Sequence, residues 1–325
     1  MKKTLLATAI PAMLFVSAAS ATELYSDDIN TLTVGGHISA GLVGSDEDST
    51  NVNSVSPRIN FGVTRDLGNG FTADGLVEWS INMENGGENA LSTRLGYVGL
   101  GHEAYGRVAA GIQWAPTYDV AGVADMPIAF ANEFLYDDMS MGGARADNMV
   151  SYRNSFAFDN DMSLNLGLGV QGSQDADYHS RYQAALSFDV SEYSLGLAYN
   201  MGDKQFDGKI ENATIMTVSG KYGTYGQGLY VAAVYGENKF TEYKKGTDIE
   251  ALVAYAFENS VNVSVNYEES KNDTDNEVVR NTTAIQVEYN FLSNVVGYAG
   301  YQIDLGDDVN ANKDNMWMIG GRIYL

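Results

Sequence analysis

No cysteine occurs in the 325-residue chain, which excludes a disulfide framework and any metal site built on thiolates. Proline is almost as scarce, with 4 residues. Because proline donates no hydrogen bond to a β ladder, its scarcity leaves room for long strands. Basic residues are also few: 19 lysines and arginines stand against 42 acids, a formal net charge of −23. A chain this acidic is not expected to bind nucleic acid.

Residues suited to enzymatic chemistry are scarce as well. The three histidines, His37, His102 and His179, do not stand at metal-ligand spacing from one another. The chain has neither a His-Glu-x-x-His nor a Gly-x-Ser-x-Gly motif. An enzyme at the rim of a membrane barrel would need a Ser/His or Asp/His pair, and no such partner is obvious. We therefore expect no enzyme, no bound metal and no cofactor.

Long apolar runs are missing except at the N-terminus. Lys2 and Lys3 precede an apolar run over 4–16, and small residues with an Ala-x-Ala ending follow it. This layout is typical of a secretory signal peptide, and the run is shorter than the about 20 residues of a membrane-spanning helix. The sequence predicts a signal peptide over 1–21 and a mature chain over 22–325. Its removal leaves 17 basic against 42 acidic residues.

The rest of the chain alternates between apolar and polar residues with a period of two. One segment sets Met162, Leu164, Leu166, Leu168 and Val170 against Ser163, Asn165, Gly167 and Gln171. This pattern is typical of a strand with one dry face and one wet face. About sixteen such segments of about ten residues follow residue 32, and ten residues is the length with which a tilted strand crosses a bilayer.

The connections between these segments alternate between short and long. Short turns include 66–69 and 191–192, whereas long polar loops include 44–55, 202–212 and, longest of all, 114–144. Transmembrane barrels have short periplasmic turns and longer external loops. A secreted β-sandwich, such as a lectin or adhesin, also has alternating strands but has no reason to sort its connections in this way. The sequence predicts an all-β fold, a 16-stranded antiparallel transmembrane β-barrel.

Aromatic residues on the apolar faces favour the membrane interpretation. Many lie near strand ends, as in the aromatic girdles at the level of lipid headgroups, although half-buried strands of soluble proteins also favour aromatics. These residues are Tyr97, Tyr152, Tyr182, Tyr193, Tyr199, Tyr235, Tyr255, Tyr267, Tyr289, Tyr301 and Trp317.

The wet faces, which would line the lumen, carry Arg58, Arg94, Arg145, Arg153, Arg181 and Arg322. Several of these arginines stand in an ordered succession of motifs: Thr93-Arg94-Leu95-Gly96-Tyr97-Val98-Gly99-Leu100, Tyr105-Gly106-Arg107, Ala124-Asp125-Met126-Pro127 and Val150-Ser151-Tyr152-Arg153-Asn154-Ser155. The succession resembles the general porins of Gram-negative outer membranes. The resemblance covers essentially the whole mature chain and is most specific from Arg58 to Ser155.

This resemblance implies a barrel that assembles as a homotrimer and whose third external loop folds inward to narrow the pore. It implies a basic row on the wall, formed by Arg58, Arg94 and Arg145. It also implies acids on the inward loop that face this row, for which the candidates are Asp125, Glu133, Asp137 and Asp138. The same four acids are equally consistent with ordinary surface charges.

Three further basic residues of the lumen are His37, Arg153 and Arg181. His37 stands where the family usually has a lysine on the first strand, so conductance could respond to pH between about 6 and 7, although a bystander role is favoured. The family's Pro-Glu-Phe-Gly-Gly stretch is also absent, and the chain ends in Leu325 where relatives usually end in phenylalanine. Small residues at Gly36, Ala40, Gly99 and Ala109 would allow subunits to pack closely.

The expected function is a water-filled outer-membrane channel through which small hydrophilic solutes and ions diffuse passively. The excess of acid predicts a mild preference for cations; it also suits divalent ions that bridge the protein to lipopolysaccharide. The expected partners are two further copies of the chain, outer-membrane lipid with lipopolysaccharide, and the solutes and ions themselves. The alternatives are a substrate-specific channel and a surface adhesin built on a barrel.

Overall fold

The computed structural model describes residues 21–46, 49–84, 90–131, 133–137, 141–158, 161–173, 177–309 and 315–325. The predicted signal peptide, apart from Ala21, lies outside these residues. The strands are β1 Thr22–Ser26, β2 Asn30–Ser45, β3 Asn51–Asn53, β4 Arg58–Gly68, β5 Phe71–Ile81, β6 Leu91–His102, β7 Gly106–Trp114, β8 Arg145–Phe158, β9 Met162–Gln171, β10 Tyr178–Val190, β11 Tyr193–Phe206, β12 Lys209–Thr224, β13 Gln227–Lys239, β14 Gly246–Ala256, β15 Val261–Asn272, β16 Glu277–Leu292, β17 Val295–Asp304 and β18 Met316–Tyr324. Two short helices, α1 Pro116–Ala121 and α2 Phe134–Asp137, follow β7. In these ranges no helix has the length and apolar character to cross a membrane.

Sixteen long strands, β2 and β4 to β18, close into one antiparallel barrel. Each pairs with its neighbours in chain order, and the ring closes where β18 pairs with β2, from Met316 opposite Ser45 to Tyr324 opposite His37. The short β1 pairs with the start of β2, beyond the point where β18 ends, so β1 and β18 share one edge of β2. The predicted 16-stranded antiparallel barrel is confirmed.

Alternation with a period of two sets the two surfaces of the barrel. On β11 the outward side chains Leu195 and Leu197 are 68% and 50% exposed, whereas the inward Ala198 and Asn200 are 1% and 0% exposed. The exposed surface of the wall is thus apolar and the interior is largely polar, the reverse of a water-soluble protein. Such a wall suits contact with lipid, because closure of the barrel pairs the backbone groups of its strands.

Tyr97 departs from the predicted aromatic faces. The pairing of β5 with β6 shifts between Glu78, opposite Leu95, and Trp79, opposite Thr93, so Arg94 is the extra residue of a β-bulge. Beyond the bulge the face of the strand that carries Tyr97 is turned into the lumen, where the Arg107 guanidinium lies 5.2 Å from its ring centroid. Alternation alone could not show this, because a bulge inverts the pattern that follows it.

The small residues considered for subunit packing divide between the two surfaces. Ala40 is exposed on the outer face, but Ala109 is buried. A Cβ on Gly99 would meet the side chains of Arg107 and Asp74, so this glycine faces the lumen and makes room for their ion pair. Small residues therefore give no support to a packing surface at Gly99 or Ala109.

One predicted long loop is a protruding hairpin. Within 202–212, β11 continues to Phe206 and β12 begins at Lys209, so only Asp207 and Gly208 form the turn. Both turn residues have positive φ, 48° and 74°, as a two-residue type I′ hairpin requires. The Asp-Gly pair is the sequence signal for this turn. The segment was predicted to be a loop because it is polar, but strands that extend beyond the membrane need no apolar face.

Candidate pore constriction

The long connection between β7 and β8 folds into the barrel and packs against the opposite wall. Its base is closed by a hydrogen bond from the Ala115 amide to the Ala144 carbonyl, at 2.8 Å. Proline at position 116 starts α1, where its missing N–H costs no helical hydrogen bond. The loop then buries a set of apolar side chains against an unusually apolar inner patch of β13 and β14; the cluster consists of Ala121, Ala124, Leu135, Ala144, Tyr230, Ala232, Val234, Leu252 and Ala254.

Polar side chains of β15 and β16 accept hydrogen bonds from the backbone of this loop. The Ala129 amide donates to Gln286 Oε1 at 2.6 Å. The amides of Glu133 and Phe134 donate to the two carboxylate oxygens of Glu268, each at 3.1 Å. These wall groups satisfy loop amides that would otherwise be buried without a partner, which fixes the path of the loop across the lumen.

Arg280 on β16 gathers three acids beneath α2. Its guanidinium donates to both oxygens of Asp137, at 3.0 and 2.8 Å, and to Glu268 at 2.7 Å, while Glu133 lies 3.7 Å away. The structure therefore brings the predicted loop acids Glu133 and Asp137 to Arg280, which is not a member of the predicted arginine row. Asp138 lies outside the described residues.

Two of the predicted lumen arginines have different partners. Arg153 Nε donates to Asp119 of α1 at 2.7 Å, and its Nη2 donates to the Trp114 carbonyl at 2.8 Å. Arg181 is fully buried, and it donates to Gln171 Oε1 and to the His179 carbonyl, each at 3.1 Å. Arg153 therefore contacts the constriction loop directly, whereas these partners of Arg181 lie on the barrel wall.

The predicted basic row comes together on one side of the lumen. Arg58 Nη2 and Arg94 Nη1 both donate to the hydroxyl of Ser56, at 2.9 and 3.2 Å, so the two guanidinium groups are adjacent. Arg145 lies within electrostatic range of Arg94 and over the Trp114 ring, 5.9 Å from its centroid.

Two more residues complete this side of the lumen. Arg322 of β18 extends the row beyond Arg58, because it lies in electrostatic range of Arg58 and donates to the Val55 carbonyl at 3.3 Å. The inward face of β18 had indicated a lumen position for Arg322, but its place in the row required closure of the barrel. His37 is buried between these cations, with its ring edge-on to Tyr324 at 5.7 Å.

A buried carboxylate in the row was missed from the sequence. Glu78 of β5 is 1% exposed, forms an ion pair with Arg94 at 2.9 Å, and accepts from the Asn60 amide at 3.2 Å. The alternation of Thr72, Asp74, Glu78 and Ser80 along β5 was the signal that placed it in the lumen. Its partner could not be read from the sequence, because the bulge on β6 directs Arg94 toward it.

Asp125 is the loop acid that faces the row. Arg58 and Arg94 are both within electrostatic range of its carboxylate, yet in the described part of the chain neither forms an ion pair with it. The hydroxyls of Tyr118 and Tyr136 donate to Asp125 at 2.8 and 2.6 Å. Positive and negative groups therefore lie on opposite sides of the narrowed lumen, within electrostatic range of each other.

Comparison with known proteins identifies the family of the chain. The model of the Gram-negative porin family matches residues 7–322. Outer membrane protein F of Serratia marcescens is 28% identical, over 96% of this chain and 95% of that protein. The structure of Salmonella typhi OmpF in complex with daunomycin superposes with a TM-score of 0.81 at 20% identity, covering 94% of this chain and 100% of the other.

A second structure with this fold is an anion-selective porin from Comamonas acidovorans. Its TM-score is 0.75 at 14% identity, over 91% of this chain and 100% of the other. Structural similarity at such low sequence identity shows the fold alone. Whether a barrel of this fold prefers anions or cations depends on its local charges. The family match covers nearly the whole chain, and the chain therefore belongs to the Gram-negative porins: it is an outer-membrane β-barrel channel for small solutes.

Proposed function

We propose that the barrel holds a water-filled pore through which small hydrophilic solutes and ions diffuse passively, with a mild preference for cations. The observation that carries this proposal is that Asp125, on the inward loop, lies within electrostatic range of Arg58 and Arg94 but, among the described residues, forms no ion pair with either. Charges of opposite sign that face each other across water create a transverse field. Such a field orients dipolar solutes and disfavours apolar ones, without a site that binds any one of them tightly.

The residues proposed for this field are Arg58, Arg94, Arg145 and Arg322 on the positive side and Asp125 on the negative side. For Glu133 and Asp137 we propose an anchoring role, because both contact Arg280 beneath α2. Arg153 is likewise proposed to support the loop and Arg181 to stabilise the barrel wall, while His37 is proposed as a buried member of the row.

Charge balance around the constriction supports a preference for cations. The carboxylate of Glu78 offsets Arg94 within the row, and Asp119 offsets Arg153 at the start of the loop. The formal net charge of the whole chain, −23, adds a background that attracts cations.

Export and assembly complete the proposal. Residues 1–21 are proposed to be removed as a signal peptide, so that the mature chain begins at Thr22. Assembly as a homotrimer is proposed from the family, and lipopolysaccharide bridged by divalent ions is proposed as a partner of the acidic external loops. A substrate-specific channel remains the second candidate, and saturable solute flux would favour it.

Planar-bilayer conductance of the refolded mature protein tests the channel proposal. We expect large conductance steps that occur in groups of three, with a reversal potential in a potassium chloride gradient that shows a mild preference for potassium. Equal permeability for potassium and chloride would contradict the cation preference. Well-folded protein without any conductance would overturn the channel itself and favour the adhesin alternative.

A further inference from the structure

The Asp125 carboxylate is held from two sides within the constriction loop. Tyr118 of α1 and Tyr136 of α2 both donate to the same oxygen, Oδ2, at 2.8 and 2.6 Å. The other oxygen, Oδ1, accepts no hydrogen bond from any residue that the structure describes, and the side chain is only half-buried. Within the described residues, one oxygen is thus held by two donors and the other by none.

The two tyrosine rings are themselves fixed. Tyr118 stacks on Trp114 with ring centroids 4.1 Å apart, and Trp114 lies beneath the Arg145 guanidinium. Tyr136 lies on α2, next to Asp137, which Arg280 holds against the wall. Both tyrosines are therefore fixed by contacts of the constriction loop other than those with Asp125.

We infer that Tyr118 and Tyr136 are positioning residues that orient Asp125, so that Oδ1 alone is presented to the cation or the ammonium or amide donor of a solute in the pore. The inference rests on the proposed function, in which Asp125 is the negative side of the constriction. A carboxylate fixed in this way keeps its distance to Arg58 and Arg94 constant, which free rotation would not.

Charged groups from several elements act on Asp125. Burial raises its pKa, whereas the two tyrosine hydroxyls and the cations Arg58 and Arg94 lower it. Glu250, on β14 behind the loop, also lies within electrostatic range of Asp125. Burial and the nearby carboxylate raise the pKa of both Tyr118 and Tyr136, so both hydroxyls remain protonated donors.

The test is the double variant Tyr118→Phe/Tyr136→Phe, with the reversal potential measured in a salt gradient as a function of pH. Cation preference that depends on Asp125 is lost as pH falls through the pKa of this carboxyl. Because the variant lacks two hydrogen bonds to the charged form, we expect this loss at a pH higher by about one unit or more. Tyr136→Phe alone is expected to give a smaller shift in the same direction.

Tyr230→Phe is the matched control. Its hydroxyl also holds the constriction loop, by donation to the Val123 carbonyl at 2.6 Å, but it does not contact Asp125. We expect this variant to leave the pH midpoint unchanged, and an equal shift would mean that any loosening of the loop suffices, which overturns the inference. Heat-modifiable electrophoretic mobility confirms that each variant folds.

The variant Asp125→Asn separates the inference from the proposed function. If Asp125→Asn changes the ion preference but the tyrosine variants do not shift the midpoint, the positioning role is overturned and the constriction acid stands. If Asp125→Asn has no effect on ion preference, the proposed role of the acid fails first. In the Asp125→Asn background we expect the tyrosine substitutions to cause no further pH-dependent change, and such a change would overturn the inference.

Discussion

Glu78→Gln is expected to move the ion preference of the channel toward anions. In the unchanged protein Arg94 Nε lies 2.9 Å from the Glu78 carboxylate. The substitution keeps the size of the side chain and an oxygen that can accept from Arg94 Nε, but it removes the negative charge that offsets this guanidinium. A unit charge about 5 Å from a passing ion in water changes its energy by roughly 0.8 kcal/mol, which is about a fourfold change in local concentration. The potassium-to-chloride permeability ratio is therefore expected to fall severalfold in a salt gradient.

Asp74→Asn is the matched control for this prediction. Asp74 lies four residues earlier on the same face of β5, and it is also paired with an arginine, with Arg107 Nε at 2.8 Å. Both variants remove one negative charge from the lumen, but about 13 Å of strand separates them, more than the Debye length of about 8 Å at physiological salt. We expect Asp74→Asn to shift the permeability ratio much less. Equal shifts would show that the total charge of the lumen, and not the row, sets ion preference.

Arg280→Gln is expected to loosen the constriction loop and make the open channel noisy. The Arg280 side chain is 18% exposed, and its guanidinium lies between Asp137, Glu268 and Glu133, so its loss leaves three carboxylates close together without their cation. Removing one partner of a largely buried ion pair costs on the order of 3 kcal/mol. We expect frequent partial closures in single-channel recordings, and a lower temperature for the loss of the folded band on gels.

Lys245→Gln provides the comparison for Arg280. Lys245 forms an ion pair with Asp273 at 3.6 Å, but its side chain is 51% exposed and does not contact the loop. A surface pair of this kind contributes about 1 kcal/mol or less, so current noise and thermal stability should stay as in the unchanged protein. If Arg280→Gln behaved like Lys245→Gln, the apolar cluster and the backbone hydrogen bonds alone would hold the loop.

Where alternation was unbroken, the sequence predicted the wall well. About sixteen strands were predicted after residue 32, and the barrel is formed by sixteen long strands, β2 and β4 to β18. A period of two is a local property, so it survives whatever the rest of the chain does. It failed at the bulge next to Glu78, which turned Tyr97 inward, and in the Asp207-Gly208 hairpin, where a polar strand was taken for a loop.

For the candidate site too, some features could be predicted from the sequence and others could not. The sequence by itself determined the number of strands, the wet faces that carry Arg58, Arg145 and Arg322, and the family resemblance that singled out Arg94 and Asp125. Only the tertiary structure decided which charges meet. Arg280 forms an ion pair with Asp137, which lies 143 positions earlier in the chain, and Arg322 joins the row because β18 pairs with β2. The physical reason is that a face is set by neighbours in the chain, whereas an ion pair depends on register, bulges and closure of the whole ring.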